Sequence, residues 1–332
     1  MLDLPQPGPR GPGAAHPAPA RLRRLWHAAG SRERVRGVRR PRGAGATPGG
    51  GSVSEQALEL RDVRGPSALG GGARRALELL YLIAATEFKR TYFGTALGYV
   101  WSLARPLMLF GVLLAVFTQA FHLGSRVPHY AVLLLLNIVL FGFFQEATST
   151  AVNSIVNQES VVRKTQFPRL VIPLAVVLNS VFNLVLNLVV VFVFILAFGI
   201  SPRWSWLLFG VVLAGLFAIA TAISMILSSL NPRFRDVGII WSVISTALFY
   251  GTPVLYAIEI VSRPLRDVVA LNPLAPIFEE ARKWVIDPHA PGAAAAAGGY
   301  AKLLVPIGIY VAVCVLAVWI FSREAPRIAE EL

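Results

Sequence analysis

Cysteine and charge are what this sequence has least of. The chain of 332 residues holds one cysteine, Cys314, and only 15% charged residues. One cysteine excludes an internal disulfide framework and a cysteine-based zinc site. Soluble domains carry about 25% charged residues, whereas this chain is 55% hydrophobic with a mean hydropathy of +0.61. So much apolar surface does not fit inside a water-soluble core of this size. That excludes an ordinary soluble enzyme and points to a chain that crosses a membrane several times. Nucleotide-binding and zinc-protease motifs are missing too: there is no GxxxxGK[ST] loop, no Gly-Lys pair and no HExxH helix. Acids are nearly absent from the long apolar runs, and only Glu146 comes close. A carrier driven by protons or sodium needs such carboxylates, and Glu146 reads more simply as an interfacial residue that reaches solvent. Of the five histidines, His122 and His129 flank one short loop. A bland interfacial pair explains them better than a metal site, so no metal is expected.

The charge that is present is uneven. Residues 1–75 hold 14 Arg against five acids, with many Pro, Gly and Ala and no long apolar run. Such a segment cannot bury enough apolar surface to offset the entropy of ordering, so residues 1–72 read as a disordered basic tail. No apolar run follows the early charges, as a signal peptide would require. A basic arm can meet anionic lipid or nucleic acid. The plainer reading is an extension without function, such as an upstream start codon ahead of one at Val53 would produce. No nucleic-acid partner is expected.

Apolar runs of about 18 residues are candidate spans. Six stand out: Pro106–Phe121 (entered through Trp101 and Leu103), Tyr130–Val152, Leu170–Ile200, Trp204–Leu230, Val237–Ile258 and Leu303–Phe321. The expected fold is therefore an all-α integral membrane protein with six transmembrane helices. Cations alternate between the two sides. Arg74, Arg75, Lys89, Arg90 and Arg105 precede the first run, and Arg163, Lys164 and Arg169 lie in the 153–169 loop. Arg233 and Arg235 lie in the 231–236 turn, and Arg323 and Arg327 follow the last run. The opposite loops hold only Arg126 and Arg203, which places both termini in the cytoplasm. The 259–302 segment, with five cations, breaks the pattern, and longer external segments obey the rule less strictly.

Four local features add detail. Ala73–Thr91 carries Leu77, Leu80, Ile83, Ala84 and Phe88 at helical spacing between charged ends, which suits an amphipathic helix in the membrane interface or one docked on a partner protein. Asn179, Asn183 and Asn187 recur every four residues and so form one stripe on a helix. Amides are costly in hydrocarbon. The stripe is expected to avoid lipid, either by bonding between helices or as a hydrophilic wall. Gly251 and Pro253 break the fifth run, and the stretch after it contains Pro264, Pro273, Pro276 and an amphipathic Ile277–Val285. Two short helices dipping back into the outer leaflet would fit, as would a folded external loop. Ala293–Ala297, between Gly292 and Gly298, reads as a flexible connector.

A permease without its own energy source needs a cytoplasmic surface on which a motor can push. The loop from Asn157 to Arg169 offers one: a short helix ended by Pro168, with Val161 and Val162 as an apolar knob and Arg163 and Lys164 for acidic partners. Here the sequence resembles a known family. Asn157 followed by Val161-Val-Arg-Lys-Thr-Gln-Phe-Pro-Arg-Leu-Val-Ile-Pro173 is similar to the coupling segment of type-2 ABC exporter permeases that move polysaccharides. Three further stretches resemble the same family in the same order. They are Lys89-Arg-Thr-Tyr-Phe-Gly-Thr-Ala-Leu-Gly-Tyr-Val-Trp101 with Arg105-Pro106, then Phe234-Arg-Asp236, then Tyr250-Gly-Thr-Pro-Val-Leu-Tyr256 with Asn272-Pro273. The likeness covers about residues 73–325.

The resemblance implies a homodimer of permeases bound to two separately encoded ATPase subunits. Their channel would thread a lipid-linked glycan (O-antigen, teichoic acid or galactan) across the bacterial plasma (inner) membrane. This chain would hold no cofactor, ATP and Mg being used by the partner subunit. The implied organisation is tail 1–72, permease domain 73–325 and cytoplasmic tail 326–332, with an interface helix at 73–91, a coupling loop at 153–169 and external gate helices at 259–300. Coupling to the ATPase would fall to Asn157, Glu159, Val161, Val162, Arg163, Lys164, Phe167 and Pro168, joined by Arg235 and Asp236. Asp236 serves equally well as a capped, anchored helix start. Pro253, Asn272 and Pro273 would belong to the external gate.

A glycan path needs polar groups and aromatic faces for the C–H sides of sugars. Asn179, Asn183 and Asn187 would supply the first. Phe117, Phe121, Phe144, Phe249, Tyr250 and Tyr256, with Phe141 and Phe143, would supply the second unless they face lipid. Two other functions stay open: a type-2 permease for a drug or lipid, and a membrane glycosyltransferase acting on polyprenyl phosphate. The latter needs clustered acids at one membrane face to hold metal and pyrophosphate, and Glu259, Asp267, Glu279, Glu280 and Asp287 are spread out.

Overall fold

The computed structural model describes residues 80–81, 84–86, 100–158 and 170–324. Regular structure among them is entirely helical. Backbone N–H and C=O groups in hydrocarbon must be satisfied within the segment, and a helix does this for an isolated apolar run. In chain order the helices are α1 (Val100–Gln119), α2 (Leu123–Arg126), α3 (Tyr130–Val152), α4 (Ser154–Asn157), α5 (Val171–Ala197) and α6 (Phe209–Leu230). They continue with α7 (Val237–Gly251), α8 (Arg263–Ala270), α9 (Ala275–Val285), α10 (Ala293–Ala297) and α11 (Tyr300–Glu324). Five are long and apolar enough to cross a membrane: α1, α3, α5, α6 with the 3-10 turn Trp204–Leu208 that leads into it, and α11. The chain is an all-α integral membrane protein.

Helix α3 is the centre of the bundle. Of its most apolar window 78% is buried, against 6% for α1 and 11% for α11. It packs on α1, α5, α6 and α7. A helix that is apolar all round belongs inside, and Leu134, Leu136, Leu140 and Phe144 have no exposed surface. Helices α1 and α11 instead turn Val112, Met108, Val311, Val315 and Val318 outward, which is harmless where the surroundings are lipid. Polar side chains bridge the helices: Trp241 Nε1 donates to Thr148 Oγ1 (3.1 Å), Ser224 Oγ to the Ala147 carbonyl (3.3 Å), Asn231 Nδ2 to Asn153 Oδ1 (3.1 Å) and Tyr310 to the Gly215 carbonyl (2.8 Å).

The structure departs from the sequence expectation in three places. The run Val237–Ile258 is helical only to Gly251, which makes α7 a 15-residue helix. Gly251 and Pro253 end it, and the chain continues non-helically, buried at Thr252, Val254 and Leu255. The freed carbonyls are covered by protein. Asn137 Nδ2 of α3 donates to Pro253 O (2.9 Å) and Val254 O (3.3 Å), Tyr130 to Leu255 O (2.8 Å), and Asn272 Nδ2 to Gly251 O (3.2 Å). Second, Ala293–Ala297 is no flexible connector but a helix, packed on α8, α9 and α11 with Ala293, Ala296 and Ala297 buried. Alanine is the best helix former, and its methyls allow close packing. Gly298 ends α10 in the left-handed region (φ 84°). Third, Asp236 precedes α7 but makes no side-chain capping bond, and it is exposed.

Helices α8, α9 and α10 gather at the bundle end that holds the start of α3 and the end of α7. Ser205 Oγ and Trp206 Nε1, before α6, donate to the Trp284 and Val285 carbonyls at the end of α9 (2.6 and 3.1 Å). Lys302 of α11 pairs with Asp267 of α8 at 3.1 Å, and Arg266 donates to the Ala295 and Ala296 carbonyls.

Candidate functional site

A cavity of about 650 Å³ opens between α1, α3 and α5, with Phe249 of α7 at its wall. Its polar groups come from three helices at fixed phase. Helix α1 supplies Ser102 and Arg105; α3 supplies Gln145, Glu146, Ser149 and Thr150; α5 supplies Asn179, Asn183 and Asn187. The asparagine spacing of four puts all three amides on one side of α5, and that side faces the cavity. Asn183 Nδ2 donates to Glu146 Oε1. Asn187 Nδ2 donates to the Asn183 carbonyl (2.9 Å) and more weakly to that of Ser102 (3.4 Å), which ties α5 to α1. Asn179 and Asn183 are only 9% and 4% exposed, yet the Oδ1 of each has no hydrogen-bond partner. A buried acceptor without a partner is costly.

Glu146 is the residue that sequence reasoning set aside. It is half-buried in the cavity wall. Arg105 is exposed toward the same space, close enough to act on the Glu146 charge, without an ion pair among the described residues. One carboxylate, one guanidinium and a row of amides make a polar site among apolar helices. Among the described residues no group of three or more His, Cys, Asp or Glu is placed to hold a metal.

The remaining candidates fall into several settings. Phe141, Phe143 and Phe249 line the cavity, Phe249 meeting Phe141 edge-on at 5.2 Å. Phe144 does not: it is fully buried against Trp241 and Phe141 in the core. Phe117 and Phe121 stack on each other at 5.3 Å at the far end of α1, away from the asparagines. Tyr250 is 62% exposed, and Tyr256 donates to the Tyr250 carbonyl (3.1 Å), so the hydroxyl of Tyr256 serves the break after α7. Pro253 is buried beneath Asn137. Asn272 Nδ2 donates to Thr252 Oγ1 (2.8 Å) and its Oδ1 accepts from the Leu274 N–H (2.9 Å), next to Pro273, so it joins the α7 break to the start of α9. Arg235 and Asp236 are exposed at the opposite end of the bundle, and Asn157 is exposed at the end of α4. Glu159, Val161, Val162, Arg163, Lys164, Phe167 and Pro168 lie outside the described residues, as does most of 73–91.

A charged cluster on α9 had no sequence signal beyond isolated acids. Arg282 Nη1 donates to both oxygens of Glu259 (2.8 and 2.9 Å) and lies 3.9 Å from Glu279. Arg282 and Glu279 are 5% and 3% exposed. Burial pushes the Glu279 carboxyl up to about 8, against the pull of Arg282.

Comparison with known proteins agrees with this architecture. Residues 78–285 match the family model described as ABC-2 type transporter. An O-antigen export system permease protein RfbA of Klebsiella pneumoniae is 29% identical over 200 residues, 60% of this chain and 76% of its own length. One of the same name from Myxococcus xanthus is 26% identical over 262 residues, 76% of this chain and 95% of its own length. The matched region holds the cavity, the α7 break and α9, and the chain belongs to the ABC-2 type transporter family.

Proposed function

We propose that this chain is the membrane permease of an ATP-driven exporter of a lipid-linked cell-envelope polysaccharide. The observation that carries this reading is the polar cavity. A bundle of apolar helices keeps three asparagines, a glutamate and an arginine around one opening, and the similar proteins bear the name of O-antigen export permeases. Neither a drug-binding apolar chamber nor a clustered-acid catalytic face has comparable support.

In this reading the chain sits in the inner membrane with both termini in the cytoplasm. Two copies pair, and two separate ATPase subunits use ATP and Mg. The motor would act at the 153–169 loop, in which Asn157 is exposed, and at exposed Arg235 and Asp236 on the same end of the bundle. Displacement there reaches the cavity through rigid elements, since Glu146 lies on the helix that leads into α4 and Asn179 on the helix that follows the loop. At the other end α8, α9 and α10 form the outer gate. Deleting the gene and complementing it tests the reading: surface polysaccharide disappears in the deletion and returns with the intact gene. Retention of full-length surface polysaccharide in the deletion strain would refute it.

A further inference from the structure

Helices α8, α9 and α10 enclose a second, much smaller void of about 10 Å³, about the room that one water needs. Ala270, Ala275, Ala293 and Ala296 line it, and the one charged side chain at its wall is Glu279. Glu279 is 3% exposed, and its Oε2 has no hydrogen-bond partner. The nearest guanidinium is engaged elsewhere: Arg282 Nη1 serves both Glu259 oxygens and stays 3.9 Å from Glu279, beyond hydrogen-bonding distance. The other neighbouring cations are spoken for. Arg266 of α8 donates to the Ala295 and Ala296 carbonyls, Lys302 of α11 pairs with Asp267 of α8, and Lys283 lies beside Glu280 at Gly292. Tyr256 donates to the Tyr250 carbonyl and Tyr310 to that of Gly215, and Asp287 accepts from the His289 N–H. Helices α6 and α10 and the turn Trp204–Leu208 carry no titratable side chain.

Two carboxylates against one guanidinium leave a net negative charge beside an apolar void, which is costly. A proton on Glu279 cancels that charge and takes up no space. A metal ion would find one carboxylate there and no other side-chain ligand. What covers the void is α10, and α10 is held at both ends. Glu280 Oε1 accepts from the Ala293 N–H at its start (2.8 Å), and Arg266 binds its last carbonyls. Through these contacts α10 joins α8 to α9 and α11.

We propose that Glu279 is a proton-binding site that latches this end of the bundle: the protonated carboxyl keeps α10 seated on α8 and α9, and its ionisation lifts α10 and admits water. An ionised Oε2 demands hydration, and the void has room for no more than one water, so further water enters only by displacing the cover. Burial pushes the Glu279 carboxyl up to about 8, which places the response near neutral and mildly alkaline pH. In the export reading this end is the outer gate, so the latch answers to the pH outside the membrane. That consequence rests on the export reading, whereas the latch itself is a property of the purified protein.

Hydrogen–deuterium exchange of the full-length protein in lipid nanodiscs tests it at pH about 6 and about 9, with protection corrected for the intrinsic pH dependence of exchange. Protection across 293–299 is expected to fall by about 10- to 100-fold at the higher pH, the upper limit being reached if the lifted state returns the carboxyl to its ordinary value. Amides of α3 serve as the reference for global loosening. Glu279→Gln, neutral at every pH, should abolish the fall. Glu259→Gln removes a like charge and frees Arg282 for Glu279, so it should move the fall to higher ionisation at lower pH, and it carries the test if Glu279→Gln does not fold. Protection of 293–299 that ignores pH overturns the proposal. So does a fall shared equally by α3, an equal fall in Glu279→Gln, or a transition that Glu259→Gln leaves in place or moves upward.

The two levels fail separately. If α10 responds as expected while the deletion strain keeps its surface polysaccharide, the export reading is wrong and the latch stands. If the deletion removes the polysaccharide while α10 ignores pH, the latch is wrong and the export reading stands.

Discussion

Asn137→Ala is the most informative single change for the fold. Asn137 is 1% exposed on α3, and its amide covers two carbonyls that the break after α7 leaves without helical partners. Each buried carbonyl left unmet costs about 1–3 kcal/mol. The same substitution removes Asn137 Oδ1, which has no partner, and so returns about 1 kcal/mol. The net loss is roughly 1–5 kcal/mol. At about 2–4 °C per kcal/mol for a chain of this size, Tm falls by roughly 2–20 °C. Thermal unfolding of the purified protein in nanodiscs, read by tryptophan fluorescence, measures it. Tyr130→Phe is the internal standard: it leaves the single Leu255 carbonyl unmet, about 1–3 kcal/mol, and should lower Tm by about 2–12 °C. If Asn137→Ala costs no more than Tyr130→Phe, water reaches the break and the account of its burial is wrong.

Other perturbations probe the gate end and the coupling end. With Glu279 raised to about 8 from 4.5, the folded state binds more protons than the unfolded state between those values. Stability should therefore fall as pH rises from about 4.5 to 8, and Glu279→Gln should flatten the Tm-against-pH curve; an unchanged slope would assign the dependence to another group. Arg282→Met leaves Glu259 unpaired and should lower Tm at pH 7.5. The loss should be smaller at pH 5.5, where Glu279 is more fully protonated; an equal loss at both pH values contradicts the coupling. Gly298→Ala forces a side chain into φ 84° and should cost about 1–2 kcal/mol, measured by the same melting. Asp236→Ala, exposed and making no cap bond, should stay within about 0.5 kcal/mol of the parent while reducing ATP-driven export in cells; a large drop in Tm would mean that the residue anchors α7 after all.

The apolar architecture was written in the sequence because lipid allows few alternatives: a long apolar run without charge must become a helix, and the asparagine stripe on α5 announced one polar face by its spacing. Three other features needed coordinates. Glu146 looked like a residue snorkelling from a helix end, and only the packing of α5 beside it reveals an enclosed partner in Asn183. Asn137 sits in the leucine run of α3, and an amide that deep was a signal that something nearby lacked hydrogen bonds; its partners lie 116 and 117 residues away. The alanine run reads as a linker in the sequence, and contact with α8 and α9 makes it a helix. The α7 boundary was misjudged because Val254, Leu255 and Ala257 continue the apolar pattern while the backbone has already left the helix. Apolarity reports burial, and at Gly251 and Pro253 burial and helicity part company.

Transport by the reconstituted protein tests the central claim most directly. Liposomes carrying the permease alone, or the permease with its ATPase partner, receive labelled lipid-linked polysaccharide on the cytoplasmic face. The account predicts that glycan reaches the opposite face only when both the partner and hydrolysable ATP are present. Movement by the permease alone, without nucleotide, would contradict it.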